Sequence, residues 1–299
     1  MAGRLIECVP NFSEGRDPAV VEAIRSAIAA VAGAQVLRSE SDPDHHRSVI
    51  TFVAPPEQIG DAAFAGIKTA VERINLRRHS GVHPRIGAAD VVPFVPLAGA
   101  TLADCAAIAI QTGHRVWNEL HVPVYFYEAA AAHAGRSPLE NMRRGGFEQP
   151  AHAPDLGGPA LHPTAGACVI GARKLLIAFN VNLKSHDLSV ARAIARKIRA
   201  SSGGLPALKA IGVPLPSRDL VQVSMNLTDF ERTPLDLVLN IVRREASAHH
   251  VEIEEVEYIG LIPRKAVQDA ATREPAWSRF DPALILENRI LTDVSRRGR

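Results

Sequence analysis

Apolar and polar positions along the chain alternate between strand and helix periods, and they do so in the same order twice. Arg4 to Val9 reads as a strand and Pro18 to Ala32 as a helix with Gly33 just past its end. Gln35 to Glu40 and Ser48 to Ala54 read as paired strands joined by the polar loop SDPDHHR. Pro56 to Ile74 follows as a helix and Ala89 to Val95 as a strand. The second half repeats the order: strand Leu175 to Asn182, helix Leu188 to Ser201 ended by Ser202 to Gly204, strands Leu208 to Val213 and Leu220 to Asn226, and the final strand Val251 to Ile259. Its second helix is expected to take Thr233 as N-cap, with Pro234 at the first helical position, and to run to about Ala248.

Each half is thus β-α-β-β-α-β, the split pattern of a ferredoxin-like unit. The expected fold class is α/β (α+β), with subdomains at residues 1–175 and 176–299. One-sided sheets of this kind must bury their second face, so the economical packing sets them face to face with helices outside and a ligand cleft between. Between the halves lies an extension, a helix near Thr101 to Leu120 and a strand Pro123 to Tyr127. A long stretch rich in Gly, Pro and His then runs from about Gly145 to Gly166. Loops of that length in compact proteins are functional or disordered, and low charge favours a binding loop here.

Composition narrows the class. Charged residues make up 22% and apolar ones 46% of 299, the profile of a soluble globular chain. The net charge of +2 is dispersed, with no basic stripe, which argues against nucleic acid; the basic ending SRRGR reads as a solvated terminus. Cys8, Cys105 and Cys168 form no CxxC and read as buried free thiols. No signal-like segment and no membrane-length apolar run is seen, so a cytoplasmic location without membrane contact is expected.

The stretch HSGVHPRIG, His79 to Gly87, is the strongest chemical candidate. Pro84 pushes His83 into an extended or turn conformation on a glycine-bounded loop, with Arg85 two residues on. A histidine held that way can take and return a proton near neutrality, although a loop histidine capping a carbonyl explains the pattern about as well. Asp42, Asp44, His45 and His46 with His79 and His83 suggest a metal cluster, but Gly81 and Pro84 break the helix that two ligands four apart would need, so no metal is expected. Glu40, at a strand end, could orient an imidazole. Arg173 and Lys174 could meet a carboxylate. Gln222, Ser224 and Asn226 share one strand face, as a solvated edge or a polar ligand site requires.

Many motifs in order resemble one family, the glutamate formiminotransferases. They include ECVPNFSEG at Glu7 to Gly15, HRSV at His46 to Val49, HPRIGAADVVPF at His83 to Phe94 and PVYFYE at Pro123 to Glu128. HPTAGACVIGARKLLIAFNVNL at His162 to Leu183 follows, then SSGG, KAIGV, QVSMNLTDF, TPL and GLIP at Gly260 to Pro263, so that the resemblance spans Leu5 to about Ala271. It implies transfer of the formimino group of N-formimino-L-glutamate to N5 of tetrahydrofolate, with tetrahydrofolate as co-substrate. It also implies a catalytic histidine at His83 and a folate-binding stretch at Gly157, Gly158, Pro159, Ala160, Leu161, His162, Pro163, Thr164, Ala165 and Gly166.

For formiminoglutamate the candidate contacts are Glu40, Arg47, Arg85, Arg173, Gln222 and Asn226, the arginines matching carboxylates by their planar fork. Some relatives carry aspartate at the position of Glu40. The tail beyond the resemblance, with a helix expected near Ala283 to Leu291, is too short for a second core. The chain is therefore expected to stop at 5-formiminotetrahydrofolate and to leave ammonia release to a separate cyclodeaminase. A homodimer stays open. Two rival readings stand beside this one: an enzyme handling 5-formyltetrahydrofolate on the same fold, and a metal-dependent amidine hydrolase.

Overall fold

The computed structural model describes residues 3–132, 139–143 and 145–290; the SRRGR ending lies outside them. The chain divides into two compact units, Met1–Lys174 and Leu175–Arg299.

The first unit holds strands β1 (Ile6–Cys8), β2 (Asn11–Phe12), β3 (Gln35–Asp42), β4 (Arg47–Ala54), β5 (Ala89–Pro96), β6 (Val124–Glu128) and β7 (Cys168–Ala172). Its helices are α1 (Pro18–Ala29), α2 (Pro56–Arg73), α3 (Leu102–Leu120) and the short α4 (Leu139–Met142). The expected first strand is in fact two. Pro10, which has no N–H to give a ladder, separates β1 from β2, and its carbonyl accepts from Ile50 N at 3.1 Å. The sheet runs β3-β4-β1/β2-β5-β7-β6, antiparallel up to β5 and parallel from β5 through β7 to β6. Its first part is the ferredoxin-like order. The extension therefore lengthens the same sheet.

Alternation along the strands sorts the two faces. Ile50, Phe52 and Ala54 of β4, Phe94 of β5, and Cys168 and Ile170 of β7 pack with Ile24, Ile28, Ile67 and Val116 of α1–α3 in one core. Their neighbours Tyr125, Tyr127, Val91 and Val169 point the other way, where Leu139 and Met142 of α4 cover them. On β4, that other face carries Arg47, Val49, Thr51 and Val53, opposite Asp42, Glu40, Arg38 and Gln35 of β3. Local signals set the helix ends: Asp17 caps α1 through Ala19 N, and Thr101 with Asp104 forms a capping box on α3.

The second unit contains β8 (Ile177–Leu183), α5 (Leu188–Ile198), β9 (Leu208–Leu215), β10 (Leu220–Leu227), α6 (Leu235–Ala248), β11 (Ile253–Ile259) and α7 (Arg264–Arg273). Its antiparallel order, β11-β8-β10-β9, is the ferredoxin-like arrangement again. The expected start of α6 is corrected by one position: Pro234 is the N-cap and Leu235 the first helical residue. The Thr233 hydroxyl donates instead to Pro206 O, tying the helix entry to the turn before β9. Past α7 the chain turns helical again at residues 286–290. Cys8, Cys105 and Cys168 are free and buried. No helix among the described residues is long and apolar enough to cross a membrane.

Candidate active site

The loop from His79 to β5 carries the candidate chemistry, and other loops pin its backbone. Val82 N donates to Asp44 O at 3.1 Å, Ala88 N to Ala165 O at 2.8 Å, and Ala167 N to Ile86 O at 3.0 Å. Glycine is required by close approach: a Cβ on Gly81 would lie 2.4 Å from His45 O, and one on Gly87 1.9 Å from Ala167 O. Asp90, 1% exposed, accepts from Ile86 N at 2.8 Å and Gly87 N at 3.3 Å, and its other oxygen pairs with Arg143 Nη2.

Within this frame His83 Nδ1 lies 2.8 Å from Pro84 O, and its Nε2 lies 2.9 Å from Arg47 Nη1. The carbonyl can only accept and the guanidinium can only donate. The ring is therefore the neutral Nδ1–H tautomer with its lone pair on Nε2. Burial depresses its pKa well below the usual histidine value, with the charges of Arg47 and Arg143 and the nearby His45 adding to the effect. Burial likewise lowers the Arg47 pKa, to about 10, with Arg143 contributing. Pro84 O and Arg47 Nη1 are the ring's hydrogen-bond partners given above, and Glu40 Oε1 accepts from Arg38 Nη2 at 2.6 Å.

His79 has another environment. It follows a 3-10 turn, Leu76–Arg78, and stacks on His46 with centroids 4.1 Å apart. Its Nε2–H donates to His46 O at 2.8 Å. His46 in turn reaches Ser80 O and Glu14 Oε1, at 3.0 and 3.2 Å. That oxygen of Glu14 also receives the backbone N–H groups of Gly15, Arg16 and Asp17. This cluster supports the loop from beneath. Among the described residues, no group of three His, Cys, Asp or Glu side chains converges as a metal site would need.

The stretch 157–166 meets the histidine loop directly. Gly166 bridges Gly87, its own carbonyl closes a turn with His162 N at 2.9 Å, and Thr164 O accepts from Leu76 N at 2.8 Å. His162 Nδ1 accepts from Ala165 N at 3.0 Å. Gly157, Gly158, Pro159, Ala160 and Pro163 are exposed, Leu161, His162 and Thr164 are half-buried, and Ala165 and Gly166 are buried. Its buried end is thus anchored, and its other end is exposed.

The remaining candidates are dispersed. Arg85 is engaged within the loop frame: its Nη2 reaches Glu148 Oε1 at 2.8 Å and His79 O at 3.0 Å. Arg173 donates to Lys174 O at 2.9 Å. In the second unit, Gln222 is fully buried and donates to Asn182 Oδ1 at 2.8 Å and to Glu257 Oε2 at 3.2 Å, while Asn226 is exposed on the same face. Arg143 and Asp90 escaped the sequence reading. A carboxylate heading the apolar run VVPFV was the available signal for Asp90; Arg143 had none.

Comparison with known proteins places the sequence in a family. The formiminotransferase domain, N-terminal subdomain, matches residues 5–173, and the formiminotransferase domain matches residues 178–275. This chain belongs to the formiminotransferase family. It is 45% identical over 295 residues to the glutamate formimidoyltransferase of Thermoplasma acidophilum, covering 96% of this chain and 97% of the relative. The corresponding Streptococcus pyogenes protein is 40% identical over 296 residues, covering 96% and 99%. The formimidoyltransferase-cyclodeaminase of Sus scrofa is 42% identical over 280 residues, covering 90% of this chain and 52% of the relative. The boundary between the two formiminotransferase matches falls between β7 and β8, where the chain passes from one sheet to the other.

Proposed function

We propose that this chain transfers the formimino group of N-formimino-L-glutamate to N5 of tetrahydrofolate, giving 5-formiminotetrahydrofolate and L-glutamate, as the names of its glutamate formimidoyltransferase relatives suggest. The observation that carries the reading is the His83 ring: neutral, with its tautomer fixed and one lone pair, on a loop hydrogen-bonded to residues 162–166. Tetrahydrofolate, when bound, supplies the secondary amine that attacks the amidine carbon. The 157–166 stretch suits such a planar ligand, because its small residues allow close backbone approach and its anchored end sits against the His83 loop.

The chain's own task is to move one proton between two nitrogens. His83 Nε2 takes it from the attacking amine as the new C–N bond forms and the C=N π pair moves onto the imino nitrogen. The ring then returns it to the glutamate nitrogen as that C–N bond breaks and the C=N bond is restored. The departing amine leaves neutral and the protons balance. Such general acid–base transfer contributes about 10²–10⁴-fold, and holding both substrates together accounts for much of the rest. Burial keeps the ring unprotonated at neutral pH, as a resting base must be.

Incubating the purified chain with formiminoglutamate and tetrahydrofolate tests the proposal. Glutamate should appear stoichiometrically, with no ammonia beyond the product's spontaneous cyclisation in a no-enzyme control. No glutamate from both substrates together would refute the transferase reading. Enzyme-dependent ammonia would refute the view that this chain stops at the formimino product.

A further inference from the structure

His83 is held out of use by its own neighbour. With Nδ1–H given to Pro84 O, Nε2 is the ring's single basic site, and the Arg47 Nη1 group occupies it at 2.9 Å. A lone pair engaged by a guanidinium cannot accept a proton from substrate, so Arg47 must move before the ring can act. Arg47 stands on β4 opposite Asp42 of β3 and is half-buried.

A second guanidinium waits nearby. Arg143, just past α4, has a side chain only 12% exposed, and its Nη2 pairs with the Asp90 carboxylate, itself 2% exposed. The following segment lies against the histidine loop, with Phe147 N donating to Arg85 O at 3.1 Å. Arg143 Nε is buried without a hydrogen-bond partner. Asp90 has little left to offer it, since its other oxygen already serves the N–H groups of Ile86 and Gly87. An arriving carboxylate could satisfy that orphaned donor in the bidentate manner that guanidinium groups favour. The charge of Arg143 also reaches Arg47, where it comes second to burial, and His83, where it follows burial and Arg47, and in both it disfavours the protonated form.

We propose that Arg143 and Arg47 together clamp a carboxylate of the formimino donor, and that docking of this carboxylate draws Arg47 off His83 Nε2 and so frees the base. The inference rests on the transferase reading above and deepens it. Arg143 is then a specificity residue that distinguishes amino-acid donors from simple amidines. Arg47 is both an anchor and a latch, which keeps the base idle until a carboxylate-bearing donor is in place.

Steady-state kinetics with two donors test this: formiminoglutamate, and formamidine, whose transfer releases ammonia and which carries no carboxylate. Arg143→Gln should raise KM for formiminoglutamate about 10–100-fold, the loss of a charged hydrogen bond, a far larger loss in kcat/KM than the variant causes with formamidine. Arg143→Lys should restore part of the affinity. Arg47→Leu should weaken formiminoglutamate binding yet raise formamidine turnover, an outcome that a merely structural arginine would not give. An unchanged KM in Arg143→Gln, an equal penalty on both donors, or a fall in formamidine turnover in Arg47→Leu would overturn the proposal.

Calorimetric titration of formiminoglutamate into each folded variant separates the two ideas. A chain that binds formiminoglutamate through Arg143 but makes no glutamate would refute the transferase reading and leave the clamp standing. Binding indifferent to Arg143 would refute the clamp alone. Should Arg143→Gln fail to fold, Arg143→Lys, which retains the charge facing Asp90, carries the same comparison. Its affinity should fall about 3–10-fold because the planar fork is gone, and undiminished affinity would overturn the clamp.

Discussion

Replacing His79 by glutamine tests whether the two histidines of HSGVHPRIG do different work. The His79 side chain is 9% exposed, its Nε2–H donates to His46 O, and its Nδ1 is buried without a partner. Burial pulls its pKa to about 4; the hydrogen bond to His46 opposes this, and the charges of His46 and Arg85 add to it. The sign follows from where the proton goes. Between the ordinary value near 6.5 and the folded value near 4, the unfolded chain binds a proton at His79 and the folded chain does not. Stability is then fully present above about pH 6.5 and falls as the pH drops through that window. From those two values, the loss between pH 7.5 and pH 5 is about 2 kcal/mol. Glutamine keeps an N–H donor for His46 O and cannot titrate. In urea unfolding at pH 7.5, 6.5, 5.5 and 5.0, the stability of His79→Gln relative to the unmodified chain should improve by about 2 kcal/mol across the series. His83 is common to both proteins, so its own titration cancels. Parallel loss of stability in the two would refute the reasoning. So would a fall in kcat for His79→Gln as deep as that of His83→Ala.

His83→Ala should lower kcat about 10²–10⁴-fold while reduced-folate affinity, measured by titration calorimetry, stays within about threefold; an equal loss of affinity would recast the ring as a binding group. Asp90→Asn keeps an acceptor for Ile86 and Gly87 but strands the Arg143 charge. It should cost about 3 kcal/mol in urea unfolding, and a cost indistinguishable from zero would show that the pair is dispensable. Adding a reduced folate should slow amide hydrogen exchange across residues 157–166, and unchanged exchange there would remove that stretch from the folate site.

Much of the fold was legible because it depends on local periodicity. Alternation on β4 and the cap residues of α1 and α3 state their structure within a few positions of themselves. The strand order follows from the β-α-β-β-α-β pattern twice over. The misses came from partners distant in sequence. Thr233 has the chemistry of an N-cap, but Pro206, 27 residues earlier, takes its hydroxyl. Arg85, next to Pro84 in the motif, has the chemistry of an anion anchor, and nothing local signals its pairing with Glu148, 63 residues on. The site was half legible for the same reason. Pro84 and the glycines mark His83 as a special loop residue, whereas the tautomer of its ring depends on Arg47, which no spacing rule connects to it.

The motif residues around His83 therefore divide by what they bond to. Gly81, Gly87 and Gly166 give room for backbone to approach backbone. Asp90 turns the two amides after Arg85 inward and meets Arg143 with its other oxygen. Glu14 gathers three backbone amides and the His46 ring at the base of the loop. Each of these groups bonds to the loop and restricts where the His83 ring can sit. A proton-transfer group useful at two nitrogens in succession must keep its reach to both, which demands a rigid support more than a strong base. On the proposed reading of His83 as the base, that requirement accounts for the polar chemistry spent on the backbone of nine residues and makes a base masked by Arg47 compatible with turnover. The loop fixes the ring, and only the arginine has to move.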